Sequence, residues 1–351
     1  MSINKQEKNE EKTENRSKRK SSKKKIIILY IVLPTLILIA AALLYGFHLY
    51  SKVEKTVEES YEDVGRENET SDLREEPVDP MEDNVSMLII GVDDSENRGY
   101  EEQSRSDTLI VATFNKQQKD IKLLSIPRDS YVFVPEVGYN TKINHAHFYG
   151  GPKAAIETVE EFLNIPIDYF VRLNFEAFIE VIDSIGGIHY NVPFEIHEMD
   201  SNDKKDTIHL LPGYQKINGE EALALARTRK YDSDIERGKR QQEIIKTVLK
   251  ESASTSTVFK LGDIIEAVGD NMTTNLAFDE MKTFSTYGLN TNLSISTINL
   301  EGNGGFMEDG LWYFVADEQD RHDIEVELKD HLGLKDNSKI EDDIRQIQKL
   351  Y

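Results

Sequence analysis

RSDTLIVATFNKQQKDIKLLSIPRD, residues 105–129, holds two short apolar runs around a polar turn. Thr108–Phe114 and Ile121–Ile126 have strand length, and Asn115–Asp120 is short enough to join them as a hairpin. In a hairpin, the start of the first strand and the end of the second share one edge. Arg105 and Asp107 precede or open the first strand and Arg128 follows the second, so all three should cluster. Ser86–Gly91 (SMLIIG) is a further buried strand that turns polar at Val92-Asp93-Asp94. If it runs antiparallel to Thr108–Phe114, Asp93 and Asp94 join the same edge. Two arginines facing several carboxylates beyond strand ends suit a site for an anion plus a divalent cation. Either Arg–Asp pair alone also reads as a routine strand-end ion pair.

Further along, Pro152–Leu163 is amphipathic, with Ala155, Val159, Phe162 and Leu163 on one side of a helix. Pro166–Leu173 predicts a strand, Asn174–Ile185 a helix closed by Gly186-Gly187, and Ile188–Val192 a strand leading into a polar loop at 195–208. Asn218–Ala226 is a short helix opened by Gly219. Ile235–Lys250 is a longer one, with Ser233 and Glu236 at capping-box spacing. Beyond the Ser252–Thr257 turn come helical segments at 259–268 and 278–287, a strand at Leu293–Leu300 and a Gly-rich loop, Gly302–Gly305. The expectation is one layered α-β-α domain over 84–334 around a mixed, largely antiparallel sheet, followed by a charged tail, 335–351.

The chain of 351 residues carries a net charge of −22 and no cysteine. Acidity argues against a nucleic-acid surface, and the lack of Cys excludes disulfides, zinc–cysteine sites and thiol nucleophiles. Residues 1–25 run the other way, with ten Lys/Arg against four Glu. An uncharged apolar run, Ile26–Phe47, follows and is long enough to span a bilayer. The positive-inside rule puts the N-terminus in the cytoplasm and everything after Tyr50 outside, a single-pass arrangement in the cell membrane. A cleaved signal peptide ending at Ala40-Ala41-Ala42 is the alternative, but the apolar run continues past those alanines. Residues 48–83 read as a self-repelling acidic stalk, since 51–83 hold thirteen acidic and four basic residues, with the helix able to continue for a turn or two around Val53–Val57.

A second charged cluster, RTRKYDSDIERGKRQ at 227–241, stands out in so acidic a domain. Arg237 and Gln241 share one helix face, and Asp234 at the helix start can hold Arg237. Arg227 and Arg229 can join them if the chain is extended there, and arginine forks grip phosphate bidentately. The alternative is a solvated helix face with ordinary ion pairs. No serine-hydrolase elbow or P-loop signature occurs. His145 and His147 are spaced for no zinc signature and read as lining a loop near the site, where Lys142 could also reach a phosphate. Trp312-Tyr313-Phe314 reads as core packing.

Asp93 after its strand, Arg105-Ser-Asp107, Ser125-Ile-Pro-Arg128-Asp129, Lys142-Ile-Asn144, Gly150-Gly151, Arg227-Thr-Arg229, Asp234, Arg237 and Arg240-Gln241-Gln242 occur in one order. That ordered set, over about 86–250, resembles the LytR-CpsA-Psr family. The resemblance implies a phosphotransferase that moves a glycopolymer, wall teichoic acid foremost, from a polyprenyl-pyrophosphate carrier to peptidoglycan through a phosphodiester. It implies that Arg128, Arg227, Arg229, Arg237 and Gln241 bind the pyrophosphate with Arg105 beside them. It further implies that Asp93 and Asp107 hold Mg²⁺ (or Mn²⁺), and that Asp234 orients the arginines, with Arg105, Arg128 and Asp234 the catalytic set. The isoprenoid chain would lie in an apolar tunnel between sheet and helices, with Ala155, Val159, Phe170, Phe175 and Phe178 as candidate lining, and membrane lipid would be a further partner. A pyrophosphatase or phosphodiesterase using water, and a non-catalytic lipid-binding regulator, are the competing readings.

Overall fold

The computed structural model describes residues 33–66, 70–93, 104–229, 234–252, 255–288 and 293–334. The chain divides between Val53 and Glu54 into two compact units. The second is a mixed α/β domain. At its centre lie β1 (Val85–Val92), β2 (Ser106–Asn115), β3 (Asp120–Ser125), a strand at Tyr169–Leu173, one at Met272–Thr274 and one at Ser294–Asn299. The expected hairpin forms, with Asn115 opposite Asp120 and Ile110 opposite Ser125, and β1 lies antiparallel on the other side of β2. Tyr169–Leu173 runs parallel to β1 and Ser294–Asn299 parallel to β3, while Met272–Thr274 closes one edge antiparallel. The ends of β1, β3 and Tyr169–Leu173 therefore share one edge with the start of β2.

Side-chain alternation sorts the two faces of the sheet. Leu88, Ile90 and Val92 of β1 and Leu109 and Val111 of β2 pack with Val159, Leu163, Leu328 and Leu332 in the larger core. Those partners lie on α1 (Asn144–Leu163) and on the helix Glu318–Leu332. On the opposite face stand α2 (Phe175–Ser184), α3 (Gly219–Arg227) and α4 (Asp234–Ser252), whose core joins Ile182, Ala222, Leu225 and Ile244. Asn174 caps α2 by accepting from the Ala177 amide, and Asn218 with Glu221 forms a full capping box on α3.

The helix expected at Pro152–Leu163 is present, joined across a kink, where Gly151 takes φ 63°, to a preceding helical piece that begins at Asn144. Three expectations need correction. The polar loop 195–208 contains a small hairpin, Ile196–Glu198 with Ile208–Leu210, whose strands are too short to show alternation. The Gly-rich loop is a strand, Gly302–Phe306, paired with Trp312–Ala316. Its glycines make room for Trp312, whose ring atom would lie 2.1 Å from a Cβ on Gly304.

The third correction concerns the stalk. Helix continues to Ser60, as the residues around Val53–Val57 suggested, but residues beyond it are docked on the domain instead of standing free. Val64 is 6% exposed within the main core, and Arg66 donates to Glu160 Oε2 at 2.7 Å and to the Ile167 carbonyl. Arg74 forks onto Asp168 at 2.9 and 2.6 Å and also reaches the Asn84 carbonyl. These partners offset the ordering entropy that composition alone leaves uncompensated.

The span expected at 26–47 begins outside the described residues. From Leu33 the chain is helical, and Leu38, Leu43, Leu44 and Phe47 are exposed. Among the described residues, no helix is long and apolar enough to cross a membrane. The tail 335–351 lies outside the described residues.

Candidate active site

The shared sheet edge gathers the first cluster, as hairpin geometry requires. Gly91 stands opposite Thr108 and Val92 opposite Ser106 across a register shift, so Asp93 just past β1 and Asp107 near the start of β2 lie at the same end. Arg128, just past β3, makes a close ion pair with Asp107. Its Nε is buried without a hydrogen-bond partner, 3.8 Å from Asp129 Oδ2. Lys142 is committed to Asp129 at 2.8 Å and lies over the Tyr313 ring, so it braces this corner. Arg105 is exposed beside the cluster. Burial, then the positive charges of Arg105 and Lys142, hold His145 below the ordinary imidazole value, with Asp129 opposing. His147 is buried, with Nδ1 2.7 Å from the Ser104 carbonyl, and so steadies the approach to β2. Both histidines border the site.

The second cluster arrives on helix ends. Arg227 closes α3 and stacks its guanidinium 4.6 Å over the Phe175 ring at the start of α2. Arg237 and Gln241 fall one turn apart near the start of α4, and Arg237 is only 5% exposed. Gly238 lets this helix approach β3 closely, since a Cβ there would meet Ser125 Oγ at 3.1 Å. Two helix starts, of α2 and α4, thus border the site, and helix N-termini favour anions.

One cavity of about 450 Å³ unites the two clusters. Asp93, Asp107, Arg227, Arg229, Arg237 and Gln241 line it together with an apolar wall that includes Ile89, Val171, Phe178, Val181 and Val248. A small adjoining recess is bordered by Arg128 and shares Asp107, Arg237 and Gln241 with the cavity. Trp312 and Phe314 border the same recess, and Phe314 is also core. Asp234 opens α4, but its side chain, Ser233 and Asp94 lie outside the described residues.

Only part of the expected tunnel lining is correct. Phe175 and Phe178 line the cavity, whereas Ala155, Val159 and Phe170 pack in the core on the opposite face of the sheet. The cavity side of β1 is the alternate set Met87, Ile89 and Gly91, with Val171 and Leu173 from the neighbouring strand. Two polar residues of the Arg240-Gln241-Gln242 run are structural clamps. Arg240 donates to the Leu225 and Thr228 carbonyls, and Gln242 to those of Leu123 and Ile298. Sequence reading also missed Asp203, whose Oδ1 is 3.9 Å from Arg227, and Glu198, which accepts from Thr228 Oγ1 at 2.7 Å.

Residues 47–330 match the sequence model of the LytR_cpsA_psr family. The Bacillus subtilis protein named polyisoprenyl-teichoic acid–peptidoglycan teichoic acid transferase TagT is 36% identical over 300 residues, 85% of this chain and 92% of that one. A Bacillus cereus transferase named TagU is 34% identical, covering 84% and 94%. The solved structure of TagT bound to LIIa-WTA superposes with a TM-score of 0.65 at 35% identity, covering 76% and 97%. The YwtF (TagT) structure with bound octaprenyl pyrophosphate lipid gives 0.60 at 32%, with the same coverage.

Proposed function

This chain belongs to the LytR-CpsA-Psr family, and on that footing we propose that it transfers a glycopolymer from a polyprenyl-pyrophosphate-linked donor to peptidoglycan. The polymer class is wall teichoic acid. One observation carries the reading: three arginines, two aspartates and an apolar wall line a single cavity. That combination matches a ligand with a hydrocarbon tail and a diphosphate head.

In this reading Arg227, Arg229, Arg237 and Gln241 bind the diphosphate. Arg128 and Arg105 face charge that develops on the transferring phosphoryl group, and Asp234 orients the arginines. Phosphoryl transfer needs positioning and charge neutralisation more than covalent help, so arginines preset by Phe175 and by the α4 backbone suit it. Asp93 and Asp107 offer hard oxygen donors on the cavity wall, a donor set that fits Mg²⁺, with Mn²⁺ second. Bound there, the cation would neutralise phosphate charge and lower the barrier to attack. Chelation with EDTA is expected to suppress transfer and Mg²⁺ to restore it; indifference to both would remove the two aspartates from that role.

Ile89→Trp should fill the cavity at its apolar wall while leaving the arginines in place. Binding of a polyprenyl pyrophosphate is expected to weaken roughly tenfold or more, the scale of losing several buried methylenes. Unchanged binding would put the lipid elsewhere.

We place the N-terminus in the cytoplasm, the membrane span at 26–47 and the catalytic domain outside. The basic run at 1–25, the uncharged stretch after it and the exposed Leu38, Leu43, Leu44 and Phe47 support this topology. An anchor also concentrates the enzyme where its lipid donor lies. The reaction is tested by incubating donor with and without peptidoglycan: glycan on the acceptor supports the transferase, and free sugar phosphate in both arms would show hydrolysis instead.

A further inference from the structure

The hairpin Ile196–Glu198/Ile208–Leu210 places His197 directly opposite His209. Their rings stack with centroids 4.1 Å apart and 21° between planes. Both Nε2 atoms turn toward the same oxygen, Glu195 Oε1, at 3.2 Å from His197 and 2.8 Å from His209. All three side chains are exposed, and their candidate ligand atoms lie within 4.8 Å of one another. Tetrahedral coordination with Zn–N of about 2.0–2.1 Å separates neighbouring ligand atoms by roughly 3.3 Å. The two observed separations from Glu195 are close to that edge length.

We propose that Glu195, His197 and His209 bind a transition-metal cation of the zinc class, with solvent at the remaining position. Two imidazoles and one carboxylate suit Zn²⁺ or Ni²⁺, whereas Mg²⁺ prefers oxygen alone. The site is thus chemically distinct from the paired aspartates of the cavity. The register of the hairpin supplies the geometry: residues directly opposite on adjacent strands project from the same face, and Glu195 at the strand entry closes the triangle.

The position gives the ion a consequence. Glu198, the residue after His197, lies on the same strand and accepts from Thr228 Oγ1. Asp203, in the loop joining the two strands, lies beside Arg227. A cation held by residues of both strands would clip the hairpin together and steady the loop that backs Arg227.

The test is Zn²⁺ titration of the full-length protein in detergent by calorimetry, repeated with excess Mg²⁺ and with Co²⁺ followed by visible absorption. The expected result is one Zn²⁺ per chain, undisturbed by Mg²⁺, and a Co²⁺ spectrum typical of low coordination number. His197→Gln or His209→Gln should weaken binding by more than the roughly tenfold that loss of an outer-shell partner of a ligand can cost, while His189→Gln should not. Circular dichroism of each variant checks that the fold is kept. No Zn²⁺ binding, or binding that survives His197→Gln/His209→Gln together, would overturn the proposal.

Discussion

Arg128→Ala is expected to lower the rate of glycan transfer by roughly 10²–10³, the cost of deleting one preset donor at a site of developing charge. The side chain is suited to that role because it is held rather than free. Asp107 grips one terminal nitrogen and Asp129 lies 3.8 Å from the buried Nε. Arg128→Lys should recover only part of the loss, since an ammonium keeps the charge but not the planar fork. Arg237→Ala should be as damaging, because that residue borders both the cavity and the recess. The thermal unfolding of Arg128→Ala should stay near that of the parent protein, as its side chain remains 21% exposed at a pocket wall. A variant transferring glycan at more than about a third of the parent rate, far above the loss expected for such a donor, would remove Arg128 from the reaction.

Arg74→Ala should cost about 3–5 kcal/mol of folding stability, the penalty for leaving a buried partner charge uncompensated. Arg74 and Asp168 are 8% and 3% exposed at their side chains. Asp168 also accepts from the backbone and hydroxyl of Ser86 at the start of β1, so the loss would reach the central sheet. Arg74→Met combined with Asp168→Asn should be milder than Arg74→Ala alone, because no unpaired charge is then buried. Urea unfolding measures both. A cost below about 1 kcal/mol, typical of an exposed pair, would mean that the segment around Arg74 is not docked in solution.

The first half of the site was legible because its logic is local. Arg105, Asp107 and Arg128 flank one hairpin, and hairpin geometry alone puts them at one edge. The second half was legible as chemistry but not as geometry. Arg227 is aimed by Phe175 and Asp203, and α3 by the Asn218–Glu221 box, contacts that no local period encodes. The apolar wall was misassigned for a related reason. A strand buried on both faces shows no polar alternation, so Phe170 could not be told from Val171 as core or cavity. The residues after Ser60 were misread because composition registers their repulsion and not their partners. Arg66 and Arg74 find Glu160 and Asp168, each 94 positions away. The helices expected at 259–268 and 278–287 and the strand at 293–300 are present, while the glycine strand at 302–306 needed knowledge of where Trp312 lies.

The function proposed here stands on a diphosphate head meeting the arginines of the cavity while its isoprenoid tail lies along the apolar wall. A crystal structure of this protein with a polyprenyl pyrophosphate tests that directly. Phosphate oxygens are expected within hydrogen-bond reach of Arg227 and Arg237, with a hydrocarbon chain beside Ile89, Val171 and Phe178. A lipid bound elsewhere, with that cavity collapsed or empty, would contradict it.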